Sequence, residues 1–265
     1  MLKALIFDVD GTLADTEQQG HRVAFNRAFA DEGLGWDWSV DFYGELLKVP
    51  GGKERMRHFI TQYKPDFQIP GETGPAADSP GLDEFIKKLH KQKTNYYLEI
   101  IASGAIELRP GVERLMQAAR DAGLRLAIAT TTTKANATSL LEKKLDLGWF
   151  EVIAAGDIVP KKKPDPAIYT YTLEKMALNP SECLAFEDSH PGLLAALAAD
   201  LTTIVTVNQY TQNQDFTGAS LILDHLGEPD HGCQVLGGAA TEKFTAKPGG
   251  NDYLTVEDVY QLFAD

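Results

Sequence analysis

Cysteine is scarce in this chain, and long apolar runs are missing. Cys183 and Cys233 are the only two cysteines in 265 residues. Two cysteines this far apart give neither a disulfide framework nor a zinc-ligand spacing. Cys183 opens an apolar run and is expected in the core. No stretch reaches the ~18–20 apolar residues of a membrane span, so no membrane association is expected. Basic residues are also in deficit: 25 Lys and Arg face 38 Asp and Glu, a net charge of −13. Nucleic acid is therefore an unsuitable partner, since binding it needs a basic surface. The same field repels anionic substrates, so phosphate chemistry here would require a metal and local clusters of positive charge. The first strand signal begins near residue 2, leaving no space for a targeting peptide in the sequence as it stands. A cytoplasmic protein, or a mature organellar one, is the expectation.

What is present fits a globular enzyme. Hydrophobic residues make up 43% and charged residues 24%, ordinary values for a folded soluble domain. The length suits one large domain or two smaller ones. The apolar run Ala4-Leu5-Ile6-Phe7 ends in Asp8-Val9-Asp10-Gly11-Thr12. A run of that kind reads as a buried strand, and open α/β sheets place their ligands at the carboxyl ends of strands. Residues two apart on a continuing strand point the same way. Gly11 permits a sharp turn directly after them. Two converging carboxylates repel and call for a cation or a shared proton. The pattern suits a Mg²⁺-supported aspartyl nucleophile with an acid/base partner. The alternative is a solvated Asp-Gly turn.

Further strand signals lie at Leu2–Phe7, Leu124–Ala129, Val152–Ala155, Cys183–Phe186, Leu201–Val207 and Leu221–Leu223. Helical patterns separate most of them. Val112, Leu115, Met116 and Ala119 follow helical spacing, with Pro110-Gly111 before and Gly123 after. Leu140, Leu141 and Leu145 mark a second helix; Tyr169, Leu173 and Met176 mark a third. Alternation of this kind predicts an α/β fold with a doubly wound, mostly parallel sheet. The segment between the first two strands is far longer than a crossover helix. Its helical stretches, about 17–33, 52–63 and 80–101, predict an inserted α-helical domain lying over the site as a lid. The expected division is 1–16 with 102–265 for the α/β core and 17–101 for the helical insertion. After about Gly227 the chain reads as loop at Gly237-Gly238-Ala239-Ala240 and at Lys247-Pro248-Gly249-Gly250. A short closing helix is expected over Leu254–Phe263. No internal repeat is present and no site is expected in this tail.

Four pieces occur in a telling order. Asp8–Leu13 reads DVDGTL. Leu124–Thr130 is a strand ending in Thr. Lys163-Pro164-Asp165-Pro166 precedes a helix. Ala185-Phe186-Glu187-Asp188-Ser189 places acids after a strand. Together they resemble the four motifs of the haloacid-dehalogenase (HAD) phosphohydrolases, spanning the chain to about residue 225. The resemblance implies a Rossmann-like core with a helical cap and a phosphoric monoester hydrolase. It implies Asp8 as nucleophile and Asp10 as general acid and then base. It implies Mg²⁺ held by Asp8, the Asp10 carbonyl and Asp188, with Glu187 either a direct ligand or a partner behind the ligands. Carboxylate oxygens and phosphate suit Mg²⁺, and a carboxylate can carry an acyl-phosphate. For Glu187-Asp188 the alternative is an acidic pair favoured by a helix dipole. Thr130 offers a hydroxyl and nearby N–H groups as a phosphate cradle, though Thr131 is one register away and a plain helix cap remains open. Lys163 would neutralise charge on the nucleophile and phosphoryl oxygens, with Lys161 and Lys162 as rivals.

The inserted segment should choose the substrate. Glu17, His21 and Arg22 open it. Gly51 and Gly52 precede a helix whose first turns carry Lys53 and Arg55. His90 to Lys93 lie on the last long helix. Exposed N–H groups beside Lys and Arg suit a second anionic group; ordinary surface charge is the alternative. The stretches DTExxGHR, YGELLKxxGGKERM, LHKQKT and VPKKKPDPAIY resemble the CbbY-type subgroup. That subgroup includes phosphatases that remove xylulose-1,5-bisphosphate, an inhibitor of Rubisco. The likeness implies a small sugar bisphosphate substrate, with contacts from Glu17, His21, Arg22, Gly51, Gly52, Lys53, Arg55, Lys93, Thr130, Thr131 and Lys163. It extends the organellar option to the plastid stroma after loss of a presequence, and a monomer is expected. Pro50 departs from the pattern and lacks an N–H. Three alternatives stand: a β-phosphoglucomutase-like mutase on the same scaffold, a phosphatase for another small sugar phosphate, and a binding protein without turnover.

Overall fold

The apolar runs become the strands of one sheet. The computed structural model describes residues 1–49, 51–244 and 252–263. Among these the strands are β1 (Ala4–Phe7), β2 (Arg125–Thr130), β3 (Phe150–Ala155), β4 (Cys183–Glu187), β5 (Thr202–Thr206), β6 (Leu221–Leu223) and β7 (Val235–Gly237). Their spatial order is β3-β2-β1-β4-β5-β6-β7. β1 to β6 run parallel, and β7 joins antiparallel. This is the doubly wound, mostly parallel sheet that the alternating pattern predicts. The chain leaves β1 towards β2 and β3, then returns to the other side of β1 for β4 and β5. That reversal opens a crevice beyond the strand ends, where ligands bind in such sheets.

The α/β unit comprises Met1–Thr16 and Ile106–Asp265. Register fixes its site geometry: Phe7 pairs with Ile128 on one side and Phe186 on the other. The residues that follow these three strands therefore emerge together at one edge. The Phe7 and Phe186 rings stack at 4.6 Å, a contact worth ~0.5–1.5 kcal/mol beyond simple burial. One face of the sheet carries the small residues Ala4, Ala127, Ala129, Ala154 and Ala185. These let α7 (Ala167–Met176) and α8 (His190–Ala198) approach closely, burying Ile168, Tyr169, Ala195 and Ala196. Cys183 belongs to this core, and both cysteines are free thiols. Helices α5 (Val112–Asp121) and α6 (Lys134–Lys144) complete the alternation.

The second unit, Glu17–Ala105, is helical among its described residues. A wide turn over Glu17–His21 leads into α1 (Arg22–Asp31). Then follow α2 (Val40–Leu46), α3 (Gly52–Tyr63) and α4 (Leu82–Ala102). Its core is aromatic. Phe25 and Trp38 lie 4.8 Å apart and Trp38 and Phe59 5.3 Å apart, with Phe29 and Tyr43 buried beside them. Asn26 locks the intervening loop, its side chain exchanging two hydrogen bonds with the Trp38 backbone. Helix α3 can begin at Gly52 because Gly51 takes φ 91°, a conformation that costs other residues energy.

In the tail Gly238-Ala239-Ala240 is loop as expected, but Gly237 is not. Val235–Gly237 forms strand β7 on the edge of the sheet. Three residues beside two glycines carry no periodicity, so nothing in the pattern announces them. Helix α9 (Val256–Phe263) closes the chain against α5, burying Val256, Val259 and Leu262. Arg114 of α5 ties the tail down, donating to the Gly227 carbonyl at 2.7 Å and the Leu254 carbonyl at 2.9 Å. Pro50, expected to lack a donor, and the expected loop Lys247-Pro248-Gly249-Gly250 lie outside the described residues. No helix among the described residues is long and apolar enough to cross a membrane.

Candidate active site

Asp8 extends β1 by one residue, its N–H donating to the Phe186 carbonyl at 3.0 Å. That backbone bond aims the carboxylate at the end of β4. Asp8, Glu187 and Asp188 are all buried, and each offers an oxygen within 4.8 Å of the others. Gly11 makes this approach possible. At φ +88°, a Cβ there would lie 2.2 Å from Asp188 Oδ2 and 2.7 Å from Asn208 Nδ2. Asn208, following β5, donates to Asp188 Oδ2 at 2.7 Å and orients that carboxylate.

Lys163 is the cation among these acids. Its ammonium donates to Asp8 Oδ1 at 2.7 Å, Glu187 Oε1 at 2.6 Å and the Ala129 carbonyl at 2.9 Å. One side chain thus spans the ends of β1, β2 and β4. Lys161 instead pairs with Asp165 and is exposed, and Lys162 is exposed too. Burial alone would lower the Lys163 ammonium, but the charges of Asp8 and Glu187 outweigh it and hold the pKa above its usual value. Asp188 is pushed well above the carboxylate range, first by burial and then by Asp8 and Glu187. Glu187 moves the same way, through burial and then the Asp8 charge, with Lys163 opposing. Three carboxylates facing one ammonium leave buried negative charge that a divalent cation would balance. The donors are hard oxygens, the set that suits Mg²⁺, Ca²⁺ or Mn²⁺. The residues therefore fit a metal ion.

Asp10 is placed differently. Its Oδ1 accepts from Thr16 Oγ1 at 2.5 Å, and its carboxylate is not in the close group of three. Thr130 ends β2 and is buried, its hydroxyl accepting from the Thr132 N–H at 3.3 Å. Thr131 is half-buried, and Thr133 caps α6. Arg109, absent from the expected set, is buried. It donates to the carbonyls of Gly11, Thr206, Val207 and Asp224. It thereby fixes the turn after Asp10 against the ends of β5 and β6. Tyr169, read as a core residue, also enters the site: its hydroxyl donates to Glu187 Oε1. Burial, followed by the charge of Glu187, holds that phenol well above its usual pKa.

The helical unit gathers cations of its own. Arg55 is buried on α3. It donates to the Leu46 carbonyl at 3.1 Å and the Tyr43 hydroxyl at 3.0 Å. The Tyr43 hydroxyl in turn donates to Glu17 Oε2 at 2.5 Å. Lys93 Nζ contacts His21 Nδ1 at 2.7 Å and lies about the faces of Phe25 and Tyr97. Burial and then Lys93 push His21 well below its normal pKa. The ring is therefore neutral at neutral pH and accepts from Lys93. His90 packs against Gly52, where a Cβ would lie 2.8 Å from its Nε2. Its pKa falls to about 4 through burial and then Lys93 and Lys53. Lys53 is exposed beside this group. Arg22 turns elsewhere, donating to the Trp38 carbonyl at 3.2 Å. Tyr43 and His90 were not on the expected contact list. Only the spacing of His90 before Lys93 on α4 hinted at a shared face.

Known proteins resemble this chain. The haloacid dehalogenase-like hydrolase pattern matches residues 2–200. Protein CbbY of Rhodobacter capsulatus is 49% identical over 82% of this chain and 91% of its own. Protein CbbY of Cupriavidus necator is 45% identical over 86% and 87%. A crystal structure of a CbbY mutant from Rhodobacter sphaeroides, in complex with xylulose-1,5-bisphosphate, superposes with a TM-score of 0.71 at 40% identity, covering 91% of this chain and 98% of that one. With the strand-end acids and the motif lysine in one buried cluster, the chain belongs to the haloacid dehalogenase-like hydrolases, as a CbbY-like phosphoric monoester hydrolase.

Proposed function

We propose that this chain removes one phosphate from a small sugar bisphosphate, with xylulose-1,5-bisphosphate as the substrate, through an aspartyl-phosphate on Asp8. The observation that carries this reading is the ion pair of Lys163 with Asp8 inside the buried acidic group. That pairing aims an ammonium at the nucleophile, where phosphoryl charge develops. Asp8 attacks phosphorus in line. Asp10 gives its proton to the leaving sugar oxygen and then takes one from the water that hydrolyses the aspartyl-phosphate. Thr130, with the N–H of Thr131, cradles phosphoryl oxygens, and Lys163 neutralises them. Asp8, the Asp10 carbonyl and Asp188 would hold Mg²⁺. When bound, that ion supplies charge neutralisation between the incoming phosphate and the carboxylates.

Two phosphates answer two features. The acidic group of the α/β unit, loaded with metal, accepts the group to be transferred. Arg55, Lys53 and Lys93 of the helical unit, with the Gly51 and Gly52 N–H groups, hold the second. Glu17 and the neutral His21 set Arg55 (through Tyr43) and Lys93. Arg22 donates to the Trp38 carbonyl and is assigned to neither phosphate. The CbbY relatives and the bisphosphate complex of one of them support this substrate class. The test is phosphate release with Mg²⁺ from xylulose-1,5-bisphosphate, beside mass spectrometry of acid-quenched enzyme. Free phosphate with a phosphorylated Asp8 peptide supports the reading. Isomerised ester without free phosphate would favour a mutase and sink it.

A further inference from the structure

We propose that Tyr169 is a positioning residue, whose hydroxyl acts through Glu187 to set how Lys163 divides its charge between Glu187 and Asp8. This rests on the role given above to Lys163. All three ammonium hydrogens of Lys163 are committed, to Asp8, Glu187 and the Ala129 carbonyl. Two carboxylates thus compete for one cation. Only the share left on Asp8 and on the phosphoryl oxygens helps the reaction. Tyr169 donates its hydroxyl hydrogen to Oε1 of Glu187, the same oxygen that accepts from Lys163. That bond satisfies part of the negative charge on Glu187 and weakens its pull on the ammonium. The Tyr169 ring also lies under Lys163, 5.0 Å from Nζ to the centroid.

The surroundings hold Glu187 for this task. Its second oxygen lies 3.3 Å from the Asp188 N–H. Gly192, at the start of α8, leaves room for the carboxylate: a Cβ there would lie 1.9 Å from Oε2. Tyr169 sits in the first turn of α7, and its ring is packed over the small residues of the sheet. The hydroxyl has little freedom to point elsewhere. Glu187 on this account stands behind the metal ligands, and its carboxylate serves Lys163.

Tyr169→Phe removes the hydroxyl and keeps the ring. Glu187 then draws Lys163 closer, away from Asp8. On xylulose-1,5-bisphosphate, kcat should fall about tenfold while KM stays within about twofold, the scale of one lost bond to a charged group. A double-mutant cycle gives the decisive readout. In a Glu187→Gln background, Tyr169→Phe should change kcat by less than about twofold, because the charge that competes with Asp8 for Lys163 is gone. Gly192→Ala displaces Glu187 from its other side, and replaces Glu187→Gln in the cycle if that variant turns over too slowly to measure. An unchanged kcat in Tyr169→Phe overturns the proposal. So does the same loss in both backgrounds, or a loss confined to KM. Asp8→Asn runs in parallel: full turnover there would refute the nucleophile itself, a failure separate from an additive cycle.

Discussion

The two units solve opposite charge problems. At the strand ends of the α/β unit, three buried carboxylates cluster about one ammonium, which pairs with two of them, Asp8 and Glu187. The helical unit inverts the ratio. Arg55 and Lys93 are buried there, with Lys53 exposed nearby and Glu17 reached only through Tyr43. The first arrangement calls for a cation and the second for an anion. In an acidic protein of net charge −13, the repulsion of the overall field is thus reversed at chosen places, as the proposed bisphosphate substrate requires. The histidines report the same contrast. His21 and His90 are held neutral by burial and nearby cations, whereas Lys163 is held charged by carboxylates.

Breaking the acidic side should give the largest effect. Lys163→Ala is expected to lower kcat by about 1,000-fold, the scale of losing a preorganised charge at the reacting group. It also leaves Asp8 and Glu187 buried without their cation, costing about 3 kcal/mol or more of stability unless a metal compensates. Kinetics and thermal melting with and without Mg²⁺ check both statements. Arg55→Ala comes next and acts on the other side of the comparison. KM for a bisphosphate should rise about 30-fold, and KM for a monophosphate by less than about threefold, since truncating one partner of a charged pair typically costs several kcal/mol. Equal rises would remove Arg55 from the second phosphate.

Metal binding sharpens the contrast without any assay of turnover. Mg²⁺ at 100 times its dissociation constant should stabilise the α/β unit by about 2.7 kcal/mol. Asp188→Asn should abolish most of that gain, and an equal gain in the variant would count against Asp188 as a ligand. The smallest effect concerns pH. The folded-state pKa values of His21 and His90 lie below their unfolded values. The unfolded chain therefore binds more protons in that range. The contribution of both is fully present above about pH 6.5 and is lost as pH falls, for His90 towards about 4. His90→Gln should flatten this slope by about 1 kcal/mol after allowance for solvent screening. An unchanged slope would show that His90 does not titrate as described.

What could be read from the sequence follows from how each residue acts. The strands were legible because a buried strand is an uninterrupted apolar run. The acids at their ends were legible because motif position and strand end coincide, as at Asp8 and Asp188. Strand β7 was not, since its pairing with β6 depends on the tail folding back. Arg109 escaped because its role is spread over four carbonyls from Gly11 to Asp224, which only the fold assembles. Tyr169 fitted the periodic core face of α7, and periodicity cannot tell a core phenol from one whose hydroxyl reaches Glu187. Asn208 carried no pattern at all. In the helical unit, the sequence offered a crowd of charges. Burial then separated Arg55 and Lys93, turned inwards, from Arg22, which is bound to the Trp38 carbonyl.

The most direct test of this division of labour is the ratio of kcat/KM for xylulose-1,5-bisphosphate over the faster of its two monophosphates, xylulose-1-phosphate and xylulose-5-phosphate, measured with Mg²⁺ in the native chain and in Arg55→Ala. The account predicts a strong preference for the bisphosphate that falls at least about tenfold in the variant. A native chain indifferent to the second phosphate, or a preference untouched by Arg55→Ala, would contradict it.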